Sequence, residues 1–292
     1  MQNSDAKDQA PKGCPGSSQS SCQQPSEEME RQALLDNISK IKHKIIVLSG
    51  KGGVGKSTVA ANMAIELSLR GKKTGLMDID IHGPSIPKML GIENIPPRNT
   101  FEGLYPSEAN ENLKAISIGF FLKDQKDAVI WRAPLKHSLI RQFLTDIRWG
   151  ELDYLIIDCP PGTGDEPLSV IQLLEKPDGA VIVTTPQDVS LNDVRKSVTF
   201  CSQMNLPVIG VVENMSGFKC PKCGETVNIF KKGGGAKMAE EMGIPFLAAI
   251  PIDPNMVECG DSGKHFATIY KESDAAKSFG QVVDNLPGIK NS

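Results

Sequence analysis

The chain has 292 residues, 39% of them hydrophobic, with 32 Lys+Arg against 35 Asp+Glu for a net charge of −3. That length allows two small domains or one large α/β domain, and the apolar content excludes disorder along the whole chain. The charge balance provides no global basic field, and no apolar run approaches the roughly 20 residues that span a bilayer, so neither nucleic acid nor membrane is an expected partner.

Residues 1 to about 40 are rich in Gln, Ser, Asp, Lys, Pro and Gly, with no β-branched or aromatic residue before Ile38, which predicts a mobile tail. Its charged end, Glu27 to Lys42, has the spacing of a helix with Leu34, Leu35, Ile38 and Ile41 on one face. Beyond it, short apolar runs alternate with helix-length amphipathic segments. The runs are Ile45–Leu48, Thr74–Asp78, Leu113–Ile118, Tyr154–Asp158, Gly179–Thr184, Val208–Val212 and Phe246–Ile250. The helices are expected over Ser57–Arg70, Leu135–Ile147, Glu166–Leu174, Ser190–Met204, Gly234–Met242 and Ala275–Leu286. Leu191, Val194, Val198, Cys201 and Met204 recur at the spacing of one buried helix stripe. Runs that are apolar throughout suit strands covered on both faces. The expected architecture is a doubly wound, mostly parallel α/β sheet with helices on both faces, over residues 41–292, and ligands at the carboxyl ends of its strands.

Directly after the first run stands Gly50-Lys51-Gly52-Gly53-Val54-Gly55-Lys56-Ser57, which satisfies G-x-x-x-x-G-K-[ST] and opens a helix that continues with Thr58. Glycines let the backbone curl until consecutive N–H groups point inward, where they and the helix N-terminus hold phosphate oxygens. Lys56 is expected on the β- and γ-phosphates of ATP and the Ser57 hydroxyl on Mg²⁺. The second run ends in Asp78-Ile79-Asp80-Ile81-His82, which places two carboxylates beside the phosphate crevice for work on a metal shell or a hydrolytic water. Tyr154–Ile157 delivers Asp158 in a Walker B arrangement toward the Mg²⁺ shell. It is followed by Cys159-Pro160-Pro161-Gly162-Thr163-Gly164-Asp165, where the Gly162 N–H can sense the γ-phosphate. Of the four histidines, at 43, 82, 137 and 265, only His82 lies near this chemistry.

The seven cysteines are odd in number, and Met1–Ala10 has neither the basic start nor the apolar stretch of a secretory leader. A reducing, cytoplasmic compartment is therefore expected, with cysteines acting as thiols or metal ligands. Cys220-Pro221-Lys222-Cys223 forms a C-x-x-C knuckle, two ligands where a closed zinc or [4Fe–4S] site needs four. A two-fold axis through the knuckle would supply the other two. Cys14 and Cys22, with seven residues between them, make no recognised metal knuckle. Cys159 and Cys201 read as structural, and Cys259 lies in an expected loop, Pro254–Gly263, without an assigned role.

The loop with its extra Lys51 resembles the deviant Walker A loop of the MinD/ParA/nitrogenase-iron-protein class of ATPases. That resemblance implies that Lys51 reaches the partner subunit's nucleotide, that Asp80 positions the attacking water, and that Asp78 supports the metal shell. It further implies that Asn214 hydrogen-bonds adenine and that Pro251 packs on the base. Closer still, the stretches 78–85, 159–165, Gln187 to Val194 and Glu213 to Gly224 resemble the Mrp/ApbC family over about residues 40–285. Membership would imply an ATP-binding, slowly hydrolysing iron–sulfur cluster carrier or scaffold. Its homodimer would hold a [4Fe–4S] cluster between paired Cys220 and Cys223 and pass it to apoproteins. Two other readings fit the same loop: a MinD- or ParA-like positioning ATPase, and a targeting ATPase with a structural zinc at the knuckle.

Overall fold

Strands that are apolar on both faces must be covered on both, and alternate residues of the first strand do enter opposite cores. The computed structural model describes residues 27–81, 83–101, 103–121 and 133–289. Its first half contains α1 (Glu27–Ile38), β1 (Ile41–Leu48), α2 (Lys56–Leu69), β2 (Thr74–Asp78), α3 (Ile86–Met89), β3 (Arg98–Thr100), β4 (Gly103–Tyr105), β5 (Ser107–Asn110), β6 (Leu113–Ser117) and α4 (Ala133–Thr145). The second contains β7 (Leu152–Asp158), α5 (Asp165–Leu174), β8 (Gly179–Thr184), α6 (Asp188–Gln203), β9 (Val208–Lys219), β10 (Thr226–Val227), α7 (Gly234–Glu241), β11 (Phe246–Ile252), α8 (Pro254–Ser262), α9 (Phe266–Ile269) and α10 (Asp274–Asp284).

Parallel pairing runs in the order β11-β9-β8-β1-β7-β2-β6. Antiparallel β5 closes one edge, and antiparallel β10 meets the far end of β9. Ile46 and Leu48 of β1 share a core with Phe143 of α4, Val170 of α5 and Val194 of α6. Ile45 and Val47 face the other way, into a core with Met63 of α2 and Phe279 of α10. The sheet is thus doubly wound, as expected, and all its parallel strands deliver their carboxyl ends to one edge. No helix among the described residues is long and apolar enough to cross a membrane.

Several boundaries differ from expectation for physical reasons. Within the span assigned to a tail, α1 packs on the domain through buried Leu34 and Ile38, with Leu35 half-buried; Ile41 opens β1 instead of extending that helix. Residues 1–26, with Cys14 and Cys22, lie outside the described residues, as does His82. Asn37 fixes α1 in place: its Nδ2 donates to the carbonyls of Leu144 and Ile147 at 2.7 and 2.8 Å, satisfying acceptors at the end of α4. Asn37→Ala leaves those acceptors unpartnered in a buried place, so a loss of about 1–3 kcal/mol in unfolding free energy is expected by urea titration. The segment Pro254–Gly263 is a helix, α8, and not a loop; Asp253 caps it by accepting from Asn255 N at 2.9 Å, Pro254 fills its first turn, and Gly263 ends it at φ 65°.

Candidate nucleotide site and thiol knuckle

The loop between β1 and α2 curls because Gly53 and Gly55 both adopt φ 80°. A Cβ at Gly55 would overlap Asn214 Nδ2, and one at Gly50 would overlap the backbone of Asp193 on α6. Glycine is therefore required at both positions by packing, independently of any ligand.

Lys56 is buried and donates to Asp158 Oδ1 at 2.6 Å and to Ser57 Oγ at 3.2 Å, with Asp80 Oδ2 at 3.7 Å. Burial alone would pull its pKa down, but Asp158, Asp80 and Asp78 outweigh burial and hold it above the usual lysine value. Asp158 and Asp78 are neighbours in register on β7 and β2. Asp158 is fully buried, which raises its pKa against the pull of Lys56, and its Oδ2 has no hydrogen-bond partner. Asp78 accepts from Ser117 Oγ at 2.8 Å and from Asp80 N at 3.0 Å, so it anchors the turn that carries Asp80. Burial, reinforced by the neighbouring Asp158, pushes Asp78 up to about 8. The Gly162 N–H donates to the Ser49 carbonyl at 2.8 Å, so contact with a phosphate requires that bond to open.

Two adjoining hollows follow the loop. One, of about 230 Å³, is lined by Gly52, Gly53, Lys56, Ser57, Asp80 and Pro161. The other, of about 410 Å³, is lined by Thr58, Asn62, Asn214, Met215, Pro251 and Met256, among others. A small hollow rimmed by loop glycines, Lys56, Ser57 and Asp80 beside a larger, mostly apolar one matches a phosphate chain followed by a base. Asn214 Nδ2 donates to the Val54 carbonyl at 2.9 Å and so ties β9 to the loop.

Sequence reasoning ended the ninth strand at Val212, but β9 continues to Lys219, because β11 pairs with it as far as Phe218 and β10 then takes over. Three residues on this extension were not singled out. Glu213, fully buried, accepts from Ser216 Oγ at 2.6 Å and from the Gly233 and Gly235 N–H groups at 2.9 and 2.6 Å, capping α7. Its signal was a lone carboxylate directly after an apolar run. Met215 has φ 57°, a left-handed conformation costing of order 1 kcal/mol for a side chain of this kind, and no sequence signal predicts it. Gly217, at φ 85°, follows it.

The C-x-x-C knuckle sits where β9 turns into β10: Cys220 N donates to the Glu225 carbonyl and Gly224 N to the Cys220 carbonyl, both at 2.9 Å. Cys220 is half-buried and Cys223 exposed. The backbone N–H groups of Cys223 and Lys222, then the Cys223 thiol, stabilise the Cys220 thiolate and lower its pKa. The buried thiols move the opposite way: burial raises Cys159 and Cys259 and pushes Cys201 up to about 12. Among the described residues the buried thiols are thus unsuited to soft-metal ligation and the accessible knuckle pair is suited to it, and no group of three potential metal ligands exists in one chain.

The family model described as ParA, NUBPL iron-transfer P-loop NTPase, matches residues 40–287. The iron-sulfur cluster carrier protein of Methanocaldococcus jannaschii is 51% identical over 253 residues, covering 87% of each chain. The cytosolic Fe-S cluster assembly factor NUBP2 homolog of Dictyostelium discoideum is 51% identical over 253 residues, covering 85% of this chain and 96% of that one. Among solved structures, the nucleotide-binding protein of Archaeoglobus fulgidus in complex with ADP superposes with a TM-score of 0.72 at 42% identity, covering 80% of this chain and 92% of that one.

Proposed function

The chain belongs to the NUBPL-type iron-transfer family of P-loop NTPases, and from that premise we propose that it is a cytosolic ATPase that carries an iron–sulfur cluster as cargo. The cargo is a [4Fe–4S] cluster held between two copies of the chain by Cys220 and Cys223 of each, and delivered to apoproteins. The observation that carries this reading is the prepared but incomplete thiol pair in the turn directly after the strand that carries Asn214 of the nucleotide site. The two relatives above are named as a cluster carrier and a cytosolic assembly factor, which supports the same cargo and compartment.

In this reading adenine lies in the larger hollow against Asn214 and Pro251, and the loop N–H groups from Gly50 to Thr58 hold the phosphates. Lys56 exchanges Asp158 for the β- and γ-phosphates, which frees both Asp158 oxygens. Asp158, whose Oδ2 is already an unpartnered buried acceptor, and Ser57 form a hard oxygen donor set suited to Mg²⁺ completed by phosphate and water. When bound there, Mg²⁺ neutralises charge on the β- and γ-oxygens. Asp80, held by Asp78, orients the attacking water; Gly162 leaves the Ser49 carbonyl for the γ-phosphate; and Lys51, exposed at the mouth of the loop, serves the partner's site.

Anaerobic purification followed by iron, sulfide and zinc analysis on the sized dimer tests the cargo. About two iron and two sulfide per chain are expected, one cluster per dimer. Zinc without sulfide, in any oligomer, would overturn the assignment in favour of a structural metal.

A further inference from the structure

We propose that Met215–Gly217 is a hinge through which a nucleotide in the base hollow shifts the Cys220–Cys223 knuckle of the same chain. The proposal rests on the nucleotide-site reading above but not on the nature of the cargo.

The pairing of β9 with β11 slips at this point. Ile250 pairs with Asn214 and Ile252 with Phe218, so one residue of β11 spans the three residues 215–217 of β9. The surplus is stored as a bulge, with Met215 at φ 57° and Gly217 at φ 85°. Bulges and left-handed non-glycine residues persist where the surroundings impose them, and they gather where a strand must be re-aimed. The strand is fixed on the upstream side, because Glu213 is bonded to the α7 N-terminus and Asn214 to the phosphate loop. Downstream, two residues, Phe218 and Lys219, separate Gly217 from the first thiol, and Cys223 is exposed. Movement at the bulge is therefore passed toward the knuckle and not into the core.

Both sides of the bulge line the base hollow. The Met215 side chain lines the base hollow and also a smaller one beside Lys51 and Gly53. Opposite it, Pro251, Ile252 and Asp253 line the base hollow on one side and, on the other, a cleft of about 580 Å³ walled by Cys220 and Pro221. A base that packs on Pro251 and displaces Met215 presses on both strands of the slipped pair at once. Two arrangements of one packed element, biased differently by an empty and a filled hollow, are what coupling between sites requires.

The test uses the full chain, reduced and free of metal, and follows iodoacetamide alkylation of each cysteine by peptide mass spectrometry with and without saturating ADP. Buried Cys159, Cys201 and Cys259 serve as internal references. ADP is expected to change the rate at Cys220 or Cys223 by about fivefold or more, at the low end of measured site-to-site couplings, and independently of protein concentration. Met215→Gly relieves the left-handed strain and removes the side chain the base would push; Gly217→Ala places a Cβ on a backbone that disfavours it. In either variant, with ADP raised to saturation, the response is expected to fall below about twofold. Unchanged thiol rates in a wild-type chain that binds ADP would overturn the hinge alone, as would a full response in both variants or a response that grows with protein concentration. A chain that binds no ADP overturns the nucleotide-site reading, and the hinge with it.

Discussion

Cys220→Ala is expected to remove the cluster altogether while ADP still binds. In the proposed assembly a wild-type dimer would offer four thiolates on its two-fold axis, and the variant dimer two, below the four that a [4Fe–4S] cluster takes. Among the described residues no other thiol is placed to substitute, because Cys159, Cys201 and Cys259 are buried and burial raises each of their pKa values. The fold is expected to tolerate the change to within about 0.5 kcal/mol, as at most surface positions, because the Cys220 side chain fills no core. Anaerobic reconstitution followed by iron and sulfide analysis should therefore read near zero for Cys220→Ala and for Cys223→Ala. A core thiol variant such as Cys201→Ala should read the wild-type ratio despite a stability loss of roughly 1 kcal/mol. A full cluster in Cys220→Ala would place the ligands elsewhere in the chain.

Local rules made the nucleotide site legible. Thr74–Asp78 and Gly179–Thr184 have the predicted bounds to the residue, because a central strand buried on both faces is a closed apolar run with polar ends. The phosphate loop was legible because its glycines and Lys56 must stand at fixed offsets. What stayed hidden depends on partners distant in sequence. β9 runs seven residues past the last residue of its apolar run, with Glu213, Asn214 and Ser216 buried inside it; a polar residue reads as a strand end unless its partner, here the α7 N-terminus or the phosphate loop, is known. The sequence reads as a loop where α8 forms, although its Asp-Pro start and Gly end are cap signals, because its apolar residues are few: Cys259 is buried, while Val257 is exposed on the wall of the base hollow. The short elements between Ile86 and Asn110 went unpredicted because three- and four-residue segments carry too little periodicity to read.

Lys51 and Lys56 belong to one loop, and their expected phenotypes differ by which subunit each serves. Lys56 is 6% exposed and locked among Asp158, Asp80 and Ser57 of its own chain. Lys56→Met should weaken nucleotide binding and lower the hydrolysis rate by about 10²–10³, the usual cost of one preorganised charge at a reacting centre. Lys51 is exposed on the rim of the same hollow, and among the described residues no ion pair holds it over its own site. Acting across the two-fold axis as an arginine finger does, it should leave ADP affinity within about threefold when changed to Ala, yet lower hydrolysis by about 10³. Mixing separates the two roles. In a heterodimer of Lys51→Ala with Lys56→Met, the first chain keeps its own Lys56 and receives Lys51 from the second, so one of two sites is whole. Random re-association of an equal mixture makes half the dimers mixed, and the rate per chain should recover to about a quarter of wild type, although each variant alone is nearly inactive. If Lys51 served its own chain, no combination would restore a complete site and the mixture would stay at the sum of its parts. Recovery would also require that the dimer assemble with the two phosphate loops facing.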